Sequence, residues 1–549
     1  MLRDGTMSYR ETVRQFERNA EQLELSYQEA IKAGEAVAFA EAIENSLAEN
    51  ADNLLYAAWH YRLAHAALKV KKRAIAWLWA LPLAALNGLW LWLLSDTPRF
   101  MLVATNPVTH LQENLLPVLA LLAAPISAAL TVWFLTAAGR RRWLQAVAVT
   151  LGLTVVTAYP LLLFSRMWPR VFQQQYLELM VMHLALWAWA GVAYVALTPR
   201  GDQENRFAFL VKSLEAFVVG GLFAIAGGLF MAITFGLFNA LNIELPQVVM
   251  RLFLAGGAGV IVLIAVALVY DPTVEPAQQS FDEGLSKLVA LLTRMLLPLS
   301  ILVLLVYLAF IPFNFRQPFN NREVLIIFNA MLFAVLALMM GATPVKEAEL
   351  GERAQTWLRR GVMVLAALAL IVGLYALAAI LYRTSVDRLT PNRLTFIGWN
   401  VINNGLLAWL LFRQWRAGRA GTSASSVEPW RPAMHRIFAA GMTIYAAWAF
   451  IGIIALPWFF QGNIQRVAHL SVNIQEIVYE QPEPILLKCA TSPPIYLLQD
   501  GQKRWVKDIA TFEAMGYRWG DVRFVACQEL RAVPDGQTIP ADAGPPPQP

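Results

Sequence analysis

Residues 213–240 read SLEAFVVGGLFAIAGGLFMAITFGLFNA, a stretch in which Glu215 is the sole charge. A helix rises 1.5 Å per residue, so about 20 such residues cross a ~30 Å hydrocarbon layer. The segment is long and apolar enough to span a membrane. It belongs to a dense hydrophobic run from Phe207 to Phe460, which is the centre of the chain. Ala74–Ser95, also without a charge, repeats the pattern nearer the N-terminus.

Composition agrees. The 549 residues are 58% hydrophobic and only 15% charged, with a mean hydropathy of +0.48. A soluble protein carries closer to a quarter charged residues. Eleven spans are expected, near 74–95, 115–138, 143–165, 176–198, 213–240, 246–270, 287–312, 323–342, 360–382, 394–412 and 436–460. The first begins only after a polar, amphipathic segment, so it reads as a retained span and not a cleavable signal. The expected fold class is thus an all-α polytopic membrane protein with a small α+β domain after the last span.

Charge sets an expected orientation. With the N-terminus inside, the inner loops hold Arg140–Arg142, Arg200, Arg206, Lys287, Lys346, Arg353, Arg359, Arg360 and a last group from Arg413 to Arg436. The outer loops hold Arg99, Arg166, Arg170, Arg316, Arg322, Arg383, Arg388 and Arg393. Lys69–Arg73 adds to the inner side. The excess is roughly two to one and favours N-inside, C-outside, in a bacterial cytoplasmic membrane. The net charge of +6 follows these span edges and forms no basic stripe for nucleic acid.

Five regions follow from this threading: 1–73, 74–206 with four spans, 207–460 with seven, a module over 461–540, and a tail over 541–549. In 1–73, Phe16, Leu23, Tyr27, Ile31, Val37, Ala40, Ile43 and Leu47 recur mostly every three or four residues. The spacing predicts two amphipathic helices in a hairpin that breaks near Ala33–Gly34. This region either docks a cytoplasmic protein or packs on its own membrane domain. The tail 541–549 ends Gly-Pro-Pro-Pro-Gln-Pro and is expected to lack fixed structure.

Cys489 and Cys527 are the only cysteines. On the oxidising side of a membrane they imply a disulfide, contributing about 4 kcal/mol by loop closure. Between them, Ile495–Leu498 and Lys503–Val506 flank Gln499-Asp500-Gly501-Gln502, a strong hairpin signal. Asp508 can cap a helix ending at Gly516, and Val522–Val525 supplies a further strand. Trp505, Tyr517 and Trp519 either stack on a sugar or form the core of this small module.

Polar residues inside spans are the default functional candidates. Asn400, Asn403 and Asn404 share one face of the tenth span, beside Trp399. They bond to neighbouring helices or line a wet cavity. Lys212 lies one turn from Glu215, which can reach Arg294. Arg251 can meet Glu178 or Glu323. Gly220, Ala224 and Gly228, and the group Gly256, Gly257 and Gly259, suit close helix contact. The six histidines form no ligand cluster, and there is no P-loop or glycine-rich nucleotide fingerprint. No catalytic, metal or cofactor residues are assigned, and an enzymatic role is not expected.

Two resemblances add to this reading. Residues 207–460 resemble the bacterial membrane proteins grouped as domain of unknown function 4153. The likeness rests on the glycine-rich fifth and sixth spans, on Leu292–Pro312 with Pro298 inside it, and on Asp387-Arg-Leu-Thr-Pro-Asn-Arg393 before the tenth span. The segment Tyr496-Leu-Leu-Gln-Asp-Gly-Gln-Lys-Arg-Trp505, with Thr511-Phe512, Gly516-Tyr517, Trp519 and Pro534-Asp-Gly536, resembles a short module of bacterial extracytoplasmic proteins. Both imply an envelope protein and neither implies an activity. Two functions fit: a non-catalytic scaffold or sensor whose outer module binds cell-wall or envelope components, or a transporter or lipid-handling protein built around the asparagine face. The lipid bilayer is a partner in either case.

Overall fold

The structure is a computed structural model. It describes residues 9–33, 35–70, 75–105, 112–139, 143–167, 170–198, 200–281, 284–320, 322–346, 349–386, 389–419, 430–467, 469–481 and 484–549. Gly34, the basic groups Lys71–Arg73 and Arg140–Arg142, and Asp387-Arg388 lie outside these residues. The chain divides into two compact units, Met1–Ile75 and Ala76–Pro549.

The first unit holds four helices where the periodicity predicts two: α1 Tyr9–Gln15, α2 Ala20–Ala33, α3 Ala36–Glu49 and α4 Leu54–Val70. Two additional breaks come at Phe16-Glu-Arg-Asn19 and at Asn50-Ala-Asp-Asn53. Asn53 Oδ1 accepts from the backbone N–H of Leu55 and Tyr56 (2.9 and 3.3 Å), capping α4. The four helices enclose a core of their own, with Val13, Leu23, Phe39, Ile43, Tyr56 and Trp59 buried. Val37, expected on the apolar face, is exposed instead.

In the second unit, eleven helices among the described residues are long and apolar enough to cross a membrane, one for each expected span. They are α5 Trp77–Leu94, α6 Val118–Ala138, α7 Trp143–Leu163, α8 Arg170–Leu197 and α9 Gln203–Ala240. The sixth runs from α10 Gln247–Arg251 through a π turn into α11 Gly257–Val269. Then come α12 Gly284–Phe310, the short α13 Gln317–Asn320, α14 Arg322–Ala342, α15 Glu352–Val386, α16 Pro391–Arg419 and α17 Trp430–Val467. A two-stranded hairpin, β1 Met101–Thr105 and β2 Gln112–Pro117, joins α5 to α6 and was not foreseen from sequence.

The glycines divide into two groups. A Cβ on Gly88 would meet Gly256 O at 2.8 Å, and one on Gly259 would meet Asn87 O at 2.9 Å. So α5 and α11 touch backbone to backbone, and Asn87 Nδ2 donates across the contact to Gly259 O (2.8 Å). Gly221, Gly227, Gly228 and Gly257 behave differently: a Cβ there would meet nothing within 4 Å. The expected close contact is thus absent at Gly228, whereas a Cβ on Gly220 would lie 3.7 Å from Ala265 Cβ, at ordinary packing distance. In α11 close contact is served by Gly256 and Gly259.

Beyond α17, helix α18 Val472–Glu480 leads into β3 Ile485–Cys489, β4 Ile495–Gln499 and β5 Gln502–Val506. Helix α19 Ile509–Ala514, strand β6 Val522–Val525 and helix α20 Cys527–Ala532 complete the module. The sheet order is β5-β4-β3-β6, with only β3 and β6 parallel. Asp500 (φ 52°) and Gly501 (φ 76°) form the hairpin turn, a pair of left-handed positions that suit Asp-Gly. Cys489, ending β3, is disulfide-bonded to Cys527, which opens α20. The tail 541–549 lies against the module, contrary to its expected lack of structure. Tyr496 Oη and Arg531 Nε donate to the Pro547 and Pro549 carbonyls (2.5 and 2.8 Å), which these prolines leave unhindered.

Gly259→Val should part α5 from α11 and lower stability by about 1–3 kcal/mol. Gly257→Ala should be close to neutral. Thermal unfolding of the two variants in detergent, followed by intrinsic tryptophan fluorescence, checks the contrast.

Candidate functional site: an intramembrane polar core

The repeat Asn400, Asn403, Asn404 places three amides on one face of α16, and all three are buried (0, 0 and 5% exposed). Each faces a different helix. Asn400 Nδ2 donates to Asn329 Oδ1 of α14 (2.6 Å) and to Phe396 O one turn below (3.1 Å). Asn403 Oδ1 accepts from the Tyr445 hydroxyl of α17. Asn404 lies on Gly373 of α15, where a Cβ would sit 2.1 Å from Oδ1. Only glycine leaves room for the amide there.

Trp399, fully buried, packs against Phe333 of α14, Tyr445 of α17 and His183 of α8. His183 Nδ1 contacts Leu179 O (2.8 Å), and its ring lies against Gly452 of α17. Five helices therefore converge on one polar centre. Among the described residues, Trp399 Nε1, Asn400 Oδ1, Asn403 Nδ2 and both polar atoms of Asn404 have no hydrogen-bond partner in the protein. Amides in hydrocarbon seek partners on adjacent helices, and two of these three have found one.

The residues that lead into α16 lie directly next to this core. Thr390, Asn392 and Arg393 line a cavity of about 190 Å³ with Gln175, Arg383 and Tyr479 of α18. Leu325 and Phe396 also wall it. Their carbonyls accept from Asn329 (2.9 Å) and Asn400 (3.1 Å), so the cavity and the amide pair share the same helical turns.

The charged candidates find partners other than those expected. Glu215 is not paired with Arg294. Its Oε2 accepts from Lys212 Nζ (2.8 Å) and Ser286 Oγ (2.7 Å), both buried. The reason is proximity: Lys212 is one turn away on α9, and Ser286 opens α12. Lys212 Nζ also donates to Ser280 O (2.6 Å) and lies 4.6 Å from the Phe281 ring centroid. Arg294, two turns further along α12, reaches Ala342 O and Glu349 Oε2 (both 3.1 Å). Arg251 pairs with Asp96 (3.1 Å) and not with Glu178, because the close α5–α11 contact brings Asp96 to it. Glu178 accepts from Gln174 (2.8 Å), and the side chain of Glu323 lies outside the described residues.

Trp505, Tyr517 and Trp519 do not form one surface. Trp505 packs on the sheet face that meets α18, whereas Tyr517 packs with Phe512 on the opposite face. Trp519 stacks on Phe512 (4.8 Å between ring centroids) and remains 55% exposed. Strand alternation separates them. The same alternation buries Lys503, whose Nζ donates to Val533 O (2.5 Å) and pairs with Asp535 (3.1 Å). At the edge of the module, Asp508 Oδ1 accepts from Thr511 N (2.8 Å) and Thr511 Oγ1 (2.7 Å). These hydrogen bonds hold its carboxyl below the ordinary value of 3.8.

Asn329 and Tyr445 were not singled out from sequence. Asn329 is the lone amide within the apolar run of α14, and that isolation was a readable signal. Tyr445 carried none, since aromatics are common in spans. Among the described residues, no group of three or more His, Cys, Asp or Glu side chains is placed to hold a metal. Comparisons with protein-family models, with curated proteins and with solved structures find no match for this chain.

Replacing Asn400 by Leu leaves Asn329 Oδ1 buried without its donor, at a cost of about 1–3 kcal/mol. The double variant Asn329→Leu/Asn400→Leu should lose less than the sum of the single changes, a coupling that steric-trap unfolding in bicelles would measure. In the module, the Asp508 contribution is present above the carboxyl's unfolded pKa and is lost as pH falls through its lowered folded value. Acid should therefore lower the protection factors of amides 509–514 after correction for intrinsic exchange, and Asp508→Asn should remove most of that change.

Proposed function

We propose that this chain is a non-catalytic scaffold or sensor of the bacterial cytoplasmic membrane, with its binding end in the 461–540 module. The observation that carries the proposal is the shared core between that module and the spanning bundle. Val467 at the end of α17 and Leu470, Ile474 and Val478 at α18 are buried together with Ile485, Leu487 and Tyr496 of the sheet. Tyr479 of α18 also packs on Phe172 of α8, with 4.1 Å between ring centroids. A force on the module thus bears on α17 and α8, which carry Tyr445 and His183 of the polar core.

Orientation enters the same proposal. An odd number of crossings puts the two ends of the chain on opposite sides, and the Lys and Arg distribution favours the first unit inside. The disulfide fits an oxidising outer compartment. The resemblance of 207–460 to the domain of unknown function 4153 proteins supports this class and supplies no activity. Partners of matching chemistry are cell-wall or envelope components at the module, where Trp519 offers a half-exposed ring, and a cytoplasmic protein at the first unit. The transporter or lipid-handling alternative needs a wet path to the asparagine face, and the burial of all three amides weighs against one.

In a deletion strain, the full chain should restore the wild-type envelope phenotype and a chain ending at residue 480 should not. A folded Asn403→Leu variant should restore it at least in part. Full rescue by the truncated chain, with none from folded Asn403→Leu, would favour transport. Alkaline phosphatase fused after Pro549 should be active, which tests the orientation separately.

A further inference from the structure

A groove runs along α9 and α11, and a second recess adjoins it among the neighbouring helices. This recess, a cavity of about 490 Å³, is walled by α5, α6, α8, α9 and α11, and the groove beside it is about 660 Å³. Ala216, Ala258, Val262 and Val266 line both, so the two adjoin. Small residues shape it: at Gly221, Gly227, Gly228 and Gly257 a Cβ would meet no protein atom within 4 Å. The opposite side of α11 has no such space, since Gly256 and Gly259 are pressed against α5.

The walls state what the space can take. A close-packed interior has few voids larger than a water molecule, and apolar cavities of smaller size than this one stay dry. Four polar side chains at the wall, Ser127, Thr131, Lys212 and Ser213, are bound to the protein itself. Thr131 Oγ1 donates to Ser127 O (2.7 Å), Ser127 Oγ bonds to Asn87, and Ser213 Oγ donates to Phe209 O while accepting from Trp189. Lys212 Nζ is held by Glu215, Ser286 and Ser280 O. With these groups engaged, the lining is largely apolar and suits a hydrocarbon chain. A second helix does not fit the cavity, since a helix about 10 Å across would place only about one turn in it.

We propose that this groove and cavity bind a hydrocarbon chain of a membrane lipid, which enters sideways between α9 and α11 and ends against the inner wall of α6. The inference rests on the bundle spanning a membrane and is independent of the scaffold or sensor role. Ordinary boundary lipid covers outward faces; here the chain would reach Ser127 and Thr131, which are buried (7 and 5% exposed).

The test uses the full chain in nanodiscs containing a phosphatidylcholine with a diazirine at mid-chain, with irradiation and peptide mass mapping. Adducts are expected on 127–131 as well as on the outward-facing Leu151 and Val155 of α7. In Ala258→Phe, which narrows both spaces, the 127–131 adducts should fall to background while those on α7 persist. Gly221→Leu, where the added side chain meets no protein atom near its Cβ, guards against misfolding of the first variant and should reduce the inner adducts too. Adducts confined to outward faces in the parent protein overturn the proposal. So do inner adducts that are unchanged in both folded variants.

Discussion

The hydrogen bond between Asn400 and Asn329 and the contacts around it set the terms for the rest of the bundle. Within hydrocarbon no water competes for a polar group, so a buried amide is favoured where another helix answers it, as happens for two of the three on α16. α16 carries three such amides on one face, and α14, α15 and α17 approach it to meet them. α8 completes the ring through His183 and Trp399. Each approach needs a small partner or a matched donor: Gly373 under Asn404, Gly452 under His183, and the Tyr445 hydroxyl on Asn403. The bundle closes because its polar groups face inwards.

The first crossings obey a different rule. α5 and α11 are joined by bare backbone contact at Gly88, Gly256 and Gly259, and Asn87 bonds across it. That contact carries the end of α5 to Arg251 and so decides the Asp96–Arg251 pair. Along α9 and the other side of α11, small residues leave a groove instead. The same residue type thus builds a contact on one side of α11 and a recess on the other. Which of the two arises is set by the neighbouring helix and not by the glycine.

This explains what could be read from the amino-acid order. Span number, the break after Ala33, the Asp-Gly hairpin and the Cys489–Cys527 bridge are local or compositional signals, and each is found in the structure. The asparagine face was legible because helical spacing alone puts residues i, i+3 and i+4 together. Its partners were not, since Asn329 and Tyr445 are distant in sequence and only packing selects them. The ion pairs failed for the same reason: neighbouring loops supply Glu349 to Arg294 and Asp96 to Arg251. The four-helix first unit was missed at residues 16–19 and again at Asn50–Asn53, where two asparagines end one helix and cap the next.

The module and the bundle meet through a buried core, and Thr390, Asn392 and Arg393 line a cavity with Tyr479, beside the turns that hold Asn329 and Asn400. Whether the asparagine face is shut is therefore the central question. Both native cysteines are disulfide-bonded, so an introduced thiol reports without background. The most direct measurement is the reaction of Asn404→Cys, in nanodiscs, with a small charged thiol reagent, with Asp500→Cys in the hairpin turn as the exposed reference. A closed core predicts that Asp500→Cys reacts at once and that Asn404→Cys reacts only after unfolding. Rapid modification of folded Asn404→Cys would show a wet path to the middle of the bundle and contradict the account.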